Sequence, residues 1–382
     1  MGSSLPALPG MSHGARSIEQ VCFVPNARPS RLARLADKES MVRTDIVVGV
    51  DASRGSAAAF AWALDDASRR GLRVRAVLAW ADEDRPAEVD AAAASPRLED
   101  LAVAADTVLR RLVATARAAA GGIPGRPPGL NVPVDERTVY GRATHALLHE
   151  SLSAGLLVLG SESSRVSQWA SPGPIGDACA HEAPISLVVV PAEARATESR
   201  PHENQPVLVG VDGSPASAAA ARWAATEATL RRVPLRVLQV ADARSTPLAR
   251  VPIRMAIPVI RPSSPLPGAT IDTAVAMGVG SHGCGRLPVA VTSAHVPVDP
   301  VQLVKRIVTD LRAMPGAPPV ERVALATGPA AARLLDAAEG AQLLVLGARG
   351  LGGFPTLSLG STAHQCLARA ACPTAIIRDR WY

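Results

Sequence analysis

Apolar residues fall in short runs of four to six, separated by stretches in which they recur every three or four positions. The first run, Ile46, Val47, Val48 and Val50, stops at Asp51. Phe60, Ala61, Trp62 and Leu64 then give one face of a helix that ends near Gly71. Runs at 74–80, 132–139, 156–159 and 185–190 predict four more strands, with helices expected over 97–120 and 143–152. Strands alternating with helices predict a parallel sheet covered on both faces.

After a polar stretch the pattern restarts. A run at 207–211 stops at Asp212, and Trp223 follows Asp212 by the same interval that separates Trp62 from Asp51. The later segments predict a helix over 300–314, a strand over 320–325, a helix over 329–338 and a strand over 343–346. A helix over 362–371 and a last strand over 374–377 complete the pattern. Such self-similarity predicts an internal duplication. The expected organisation is a leader (1–43), a first domain (44–191), a linker (192–205) and a second domain (206–379). Each domain is expected to be doubly wound (Rossmann-like), with about five parallel strands.

The repeats are offset by 161 residues at Asp51 and Asp212, but by 187 at Gly160 and Gly347. The difference predicts an insert at about 241–298, rich in Pro, Arg and Ser. Gly278, Gly280 and Gly283 spell G-x-G-x-x-G inside it. Cys284, Gly285 and Pro288 spoil the helix that a dinucleotide site would need, so an irregular insertion is expected.

Composition narrows the function classes. In 382 residues, 48% hydrophobic and 19% charged composition supplies large cores and argues against global disorder. The net charge of +6 invites a nucleic-acid partner, but aromatics reach only 3% and the arginines are scattered. A solvated basic surface is the expected reading. Lys38 and Lys305 are the only lysines and neither follows a glycine, which excludes a Walker-type loop. Five cysteines without a C-x-x-C pair argue against zinc ribbons and a secreted disulfide framework, so a cytoplasmic location is expected. No apolar run reaches the ~18 residues of a membrane span. His145 and His149 share helical spacing but no H-E-x-x-H pattern. Ser361 lacks a nucleophile elbow.

The candidate chemistry lies in the last third. The strand at 343–346 runs into Gly347, Gly350, Gly352 and Gly353, then Gly360, Ser361 and Thr362 at a helix start. Glycines let backbone N–H groups approach an anion, and a helix N-terminus adds unsatisfied donors and a positive dipole end. The same run also suits a tight strand-to-helix turn. Asp212 is expected to meet Gly347 across the crevice at the carboxyl ends of strands one and four. It is either a helix cap or a ligand carboxylate.

The spacing Gly347-x2-Gly350-x9-Gly360-Ser361, with Arg349, Phe354 and Cys372-Pro373 around it, resembles the signature of the universal stress protein family. The resemblance covers most of 44–378 outside the insert. It implies that Gly347, Gly350, Gly360, Ser361 and Thr362 hold the phosphates of ATP, brought with Mg2+ and no metal ligand from the protein. It also implies that Asp212 addresses the adenosine and that Val240, at the end of strand two, contacts the base. Family members commonly pair through strand five, so a homo-oligomer or pairing between the two halves is expected. In the first half Ser163 stands at the position of Gly350 and Pro174 at that of Ser361, so one competent site per chain is expected. The expected function is a non-enzymatic, ATP-responsive regulator of stress adaptation or dormancy, with incidental hydrolysis at most. The alternative is a scaffold that regulates a partner protein without nucleotide. An adenine-nucleotide hydrolase lacks its S-G-G-x-D-S signature here.

Overall fold

The computed structural model describes residues 45–121, 132–162, 172–192, 205–241, 300–351 and 358–378. The leader, most of the linker and nearly all of the insert, including the Gly278 motif, lie outside them. So do Ser163, Trp169 and Gly352 to Phe354.

The first repeat runs β1 (Asp45–Gly49), α1 (Arg54–Arg70), β2 (Arg73–Ala79), α2 (Ala87–Ala92), α3 (Leu98–Gly121), β3 (Val134–Val139), α4 (Ala143–Ser151), β4 (Leu156–Ser161), α5 (Pro174–Glu182) and β5 (Ser186–Pro191). The second runs β6 (Val207–Val211), α6 (Pro215–Arg231), β7 (Leu235–Ala241), α7 (Pro300–Ala313), β8 (Val320–Thr327), α8 (Ala330–Ala338), β9 (Leu343–Gly347), α9 (Ser361–Arg369) and β10 (Thr374–Ile377). Periodicity misses α2 and α5. The first is a single alanine-rich turn and a half, pinned by the buried Val89. The second is only nine residues long and begins at Pro174.

The described strands all join one sheet, ordered β3-β2-β1-β4-β5-β10-β9-β6-β7-β8. Pairing is parallel within each repeat and antiparallel only at β5–β10. There Val188 faces Ala375, its own equivalent at the offset of 187, so a pseudo-two-fold axis passes through this pair. Alternation along the strands sends Ile46, Val48, Val209 and Val345 to one core, under α1, α3, α6 and α7. Val47, Leu157, Leu208 and Leu344 point to the other, under α4, α5, α8 and α9. Each core runs through both repeats without a break. Cys179 and Cys366, equivalents at the same offset, are fully buried in the second core, and burial pushes both thiols up to about 12. They are packing residues, not nucleophiles.

On the first face the axis passes between α1 and α6, through a cluster of charges. Asp66 and Glu227, equivalents at the offset of 161, are both fully buried. Arg70 Nε donates to Asp66 at 2.8 Å, and its guanidinium also reaches Glu227. Arg231 mirrors it, donating to Glu227 at 2.9 Å and to Asp66 at 3.4 Å. Each arginine lies over the other repeat's tryptophan, Arg70 at 5.6 Å from Trp223 and Arg231 at 5.2 Å from Trp62. Burial, and then the neighbouring Glu227, raise the Asp66 carboxyl to about 7. Burial pushes Glu227 the same way, but Arg231 and Arg70 together hold it below its ordinary value.

Candidate functional site

The carboxyl ends of β6 and β9 lie side by side in the sheet, and the residues after them build the site. Past β6 the chain turns through Gly213, whose φ of +87° is left-handed, and enters α6 at Pro215. Ser214, not Asp212, caps this helix: its hydroxyl accepts from Ser217 N at 3.1 Å. Asp212 is left to reach sideways. Its Oδ1 accepts from Ser214 N at 2.9 Å, and its Oδ2 accepts from Leu351 N at 2.8 Å. The carboxylate thus clamps the glycine loop to the end of strand β6, a role that neither reading of the sequence anticipated.

The three signature glycines have three different reasons. A Cβ on Gly347 would lie 2.7 Å from the carbonyl carbon of Ala216, so glycine lets the first turn of α6 pack on the end of β9. A Cβ on Gly350 would lie 2.5 Å from Asp212 Oδ2, so glycine makes room for the clamp. Gly360 differs. Its φ of −78° suits any residue, and the nearest atom to an added Cβ is Ala348 O at 3.5 Å. Neither backbone nor packing demands glycine there.

Gly360 N donates to Ala348 O at 2.8 Å, which returns the loop beside its own start. Gly360 caps α9 with no side chain to offer, and Ser361 and Thr362 follow, the first exposed and the second half-buried. The structure therefore brings Asp212, Gly347, Gly350 and Gly360 together, with Ser361 and Thr362 in the first turn beside them. Val240 stands one strand further along the same rim, half-buried and paired with Ala326. The sequence signalled none of the ties that hold the loop from outside. Arg378 donates to Ser358 O at 3.4 Å, and His364 meets Asp177 of the other repeat at 2.9 Å.

The same rim of the first repeat is wired in the opposite sense. Asp51 Oδ1 accepts from Ser53 N at 3.0 Å, and Ser53 caps α1. The counterpart of Leu351, Ser164, lies outside the described residues. Glu162, at the position of Arg349, reaches back and accepts from Gly55 N in the first turn of α1. Asp84 accepts from Ala143 N at 2.8 Å, at the start of α4. The turn before α1 uses Ala52 at φ +66°, a conformation that costs a non-glycine residue energy. Gly173 and Pro174 begin α5, and Pro174 has no N–H to donate. A cavity of about 320 Å³ opens here between an apolar floor, including Leu147 and Leu159, and a rim whose described charged residues are Asp51, Asp84 and Glu162. Three carboxylates, each satisfying a backbone N–H, leave little to attract an anion.

Among the described residues no group of three or more His, Cys, Asp or Glu side chains could hold a metal ion. His145 and His149 form no such centre. No helix among them is long and apolar enough to cross a membrane.

The doubly wound α/β arrangement, with a crevice at the carboxyl ends of its first and fourth strands, is present twice in the described residues. The chain belongs to the universal stress protein family: the family model matches residues 43–191, 203–259 and 289–378. It is 30% identical over 173 residues to universal stress protein Rv2623 of Mycobacterium tuberculosis, covering 45% of this chain. That match spans 47% of the relative, about half its length. A universal stress protein of Mycolicibacterium smegmatis is 26% identical over 351 residues, 90% of this chain and 99% of the relative. The crystal structure of a universal stress protein from Archaeoglobus fulgidus shares the fold with a TM-score of 0.55 at 11% identity, over 88% of this chain and 99% of that one.

Proposed function

We propose that the second repeat binds ATP, together with Mg2+, and that the protein is a nucleotide-responsive regulator of stress adaptation or dormancy with one site per chain. The observation that carries this reading is Gly360. The fold does not require a glycine there, yet any side chain would project beside the open first turn of α9. Ser361 and Thr362 offer backbone N–H groups and two hydroxyls to phosphate oxygens at the positive end of the helix, while the Gly360 N–H stays on Ala348 O. Gly347 and Gly350 keep the loop low and close to Asp212. Asp212 retains lone pairs for an adenosine hydroxyl or amino group, and the end of β7 at Val240 lies where the base would extend. Magnesium would arrive on the phosphates, because no described carboxylate cluster is built for it.

Asp212 already accepts two backbone N–H bonds, so it is committed to the loop rather than free to activate water. ATP is accordingly read as a conformational ligand and not as a substrate. Binding of a fluorescent ATP analogue with Mg2+ tests this in the wild type, Gly360→Val and Ser361→Pro. The Cβ of the valine meets no described atom closer than Ala348 O at 3.5 Å and its methyl groups would fill the cradle, and the proline copies Pro174. Both variants should retain their melting temperature within a few degrees and lose affinity at least tenfold. Unchanged binding in both would overturn the site.

The second reading is a scaffold that regulates a partner protein without nucleotide. The first repeat favours it, since Glu162 and Pro174 have withdrawn the anion donors of that rim. Absence of binding by the wild type would transfer the assignment to the scaffold.

A further inference from the structure

We infer that the first repeat, having given up its own anion donors, serves as a brace for the cradle of the second, with Asp177 and Arg378 as its positioning residues. The inference rests on the reading of Gly360 to Thr362 as the anion site.

Two ties cross the pseudo-two-fold axis on the second face of the sheet, and both end on the cradle. His364 sits one turn into α9, and its backbone N–H closes the first turn on Gly360 O at 2.9 Å. Its Nε2 lies 2.9 Å from Oδ1 of Asp177 on α5. A carboxylate only accepts, so Nε2 holds the proton. The second tie starts just past β10. Arg378 donates to Ser358 O at 3.4 Å, two residues before Gly360, and to Ala180 O at 2.5 Å and His181 O at 3.5 Å near the end of α5. The return leg of the loop and the first turn of the helix are thus both moored to α5.

Asp177 and His364 are equivalent positions at the offset of 187. In a symmetric pair of identical domains they would be identical residues facing each other across the axis. One covalent chain allows them to differ, and here they form a complementary donor and acceptor. His181 lies at the same joint, its ring 5.8 Å from the His364 ring and tilted to it, and its Nδ1 lies 2.9 Å from Asp177 O. The charged and titratable groups at this joint are therefore Asp177, His181, His364 and Arg378. A brace on the start of α9 fixes the direction of its N–H groups, so it matters for phosphate and not for the nucleoside.

The test compares ATP·Mg2+ and adenosine by calorimetric titration of the full chain, in the wild type, Asp177→Ala, Asp177→Asn and Arg378→Ala. Amide hydrogen exchange of 358–364 is measured on the same proteins without ligand. Asp177→Ala and Arg378→Ala should weaken ATP about five- to tenfold, leave adenosine within twofold and speed exchange of those amides. Asp177→Asn, whose amide oxygen still accepts from His364, should recover most of the ATP affinity. Equal loss for both ligands, or no change in ATP affinity and exchange, would overturn the brace. If the wild type binds no ATP, the nucleotide reading fails. Faster exchange in Asp177→Ala would then still support the mooring, and unchanged exchange would overturn it as well.

Discussion

The two carboxyl rims descend from one pattern and have been wired in opposite directions. In the second repeat the carboxylate at the end of the first strand, Asp212, reaches out and clamps the glycine loop. In the first repeat the loop supplies the carboxylate, Glu162, which reaches back to the first turn of α1. Position 349 is an arginine where 162 is a glutamate, and Ser361 stands where Pro174 removes a donor. What survives in both is the close packing of the strand-four glycine. Gly173 and Gly360 also both precede the last helix, and what differs is Glu162 against Arg349 and Pro174 against Ser361. On the proposed reading, duplication within one chain lets one copy keep a ligand rim while the other becomes structure.

The strongest way to break the comparison is to attack what both rims share. A Cβ on Gly160 would lie 2.1 Å from the carbonyl carbon of Gly55, and one on Gly347 would lie 2.7 Å from that of Ala216. Backbone cannot swing aside, so Gly160→Ala should cost more than about 3 kcal/mol by urea unfolding, and Gly347→Ala somewhat less. Equal and small losses would mean that the two rims do not share this packing.

The joint comes next. Removing one arginine from the buried cluster, as in Arg231→Ala, leaves Glu227 and Asp66 undercompensated and should cost about 3–5 kcal/mol. The pH dependence is specific to Asp66. Its carboxyl titrates near 7 in the fold and near 4 when unfolded, so the folded state holds the extra proton between these values. The stability it contributes is fully present below about pH 4 and is lost as pH rises through about 7. Glu227, held low, acts only as pH falls below its ordinary range, so it adds nothing to the Asp66 slope between pH 5 and 8. Stability should fall across that interval by up to about 3 kcal/mol, and Asp66→Asn should flatten the fall. A slope unchanged in the variant would assign it elsewhere.

A smaller effect separates the two strand-one aspartates. Asp212→Ala loses the tie to Leu351 as well as the local turn and should cost about 1–2 kcal/mol. Asp51→Ala loses the described bond to Ser53 N and should cost less than about 1 kcal/mol. Equal losses would erase the asymmetry drawn between the rims.

Much of this architecture was legible in the sequence, because a doubly wound fold writes itself in buried strand runs and helical periodicity. The duplication was legible in Asp51 and Asp212, and in Trp62 and Trp223. The glycine spacing marked the loop that Asp212 clamps, yet it gave one reason for three glycines that turn out to have three. Gly347 and Gly350 serve packing and the clamp, and Gly360 alone is left open by the fold. Asp212 was expected as a cap or a ligand carboxylate, and its hold on Leu351 depends on a loop path that spacing does not encode. The joint was hidden for the same reason. Asp66, Arg70, Glu227 and Arg231 look like ordinary helical i, i+4 charges, and only the antiparallel pairing of β5 with β10 buries them together.

The central claim is that one rim binds the anion and the other does not. Equilibrium dialysis of the full chain against labelled ATP and Mg2+ counts the sites directly. The account predicts saturation at one ATP per chain, abolished by Gly360→Val and unaffected by Pro174→Ser. Two ATP per chain, or one that survives Gly360→Val, would contradict it.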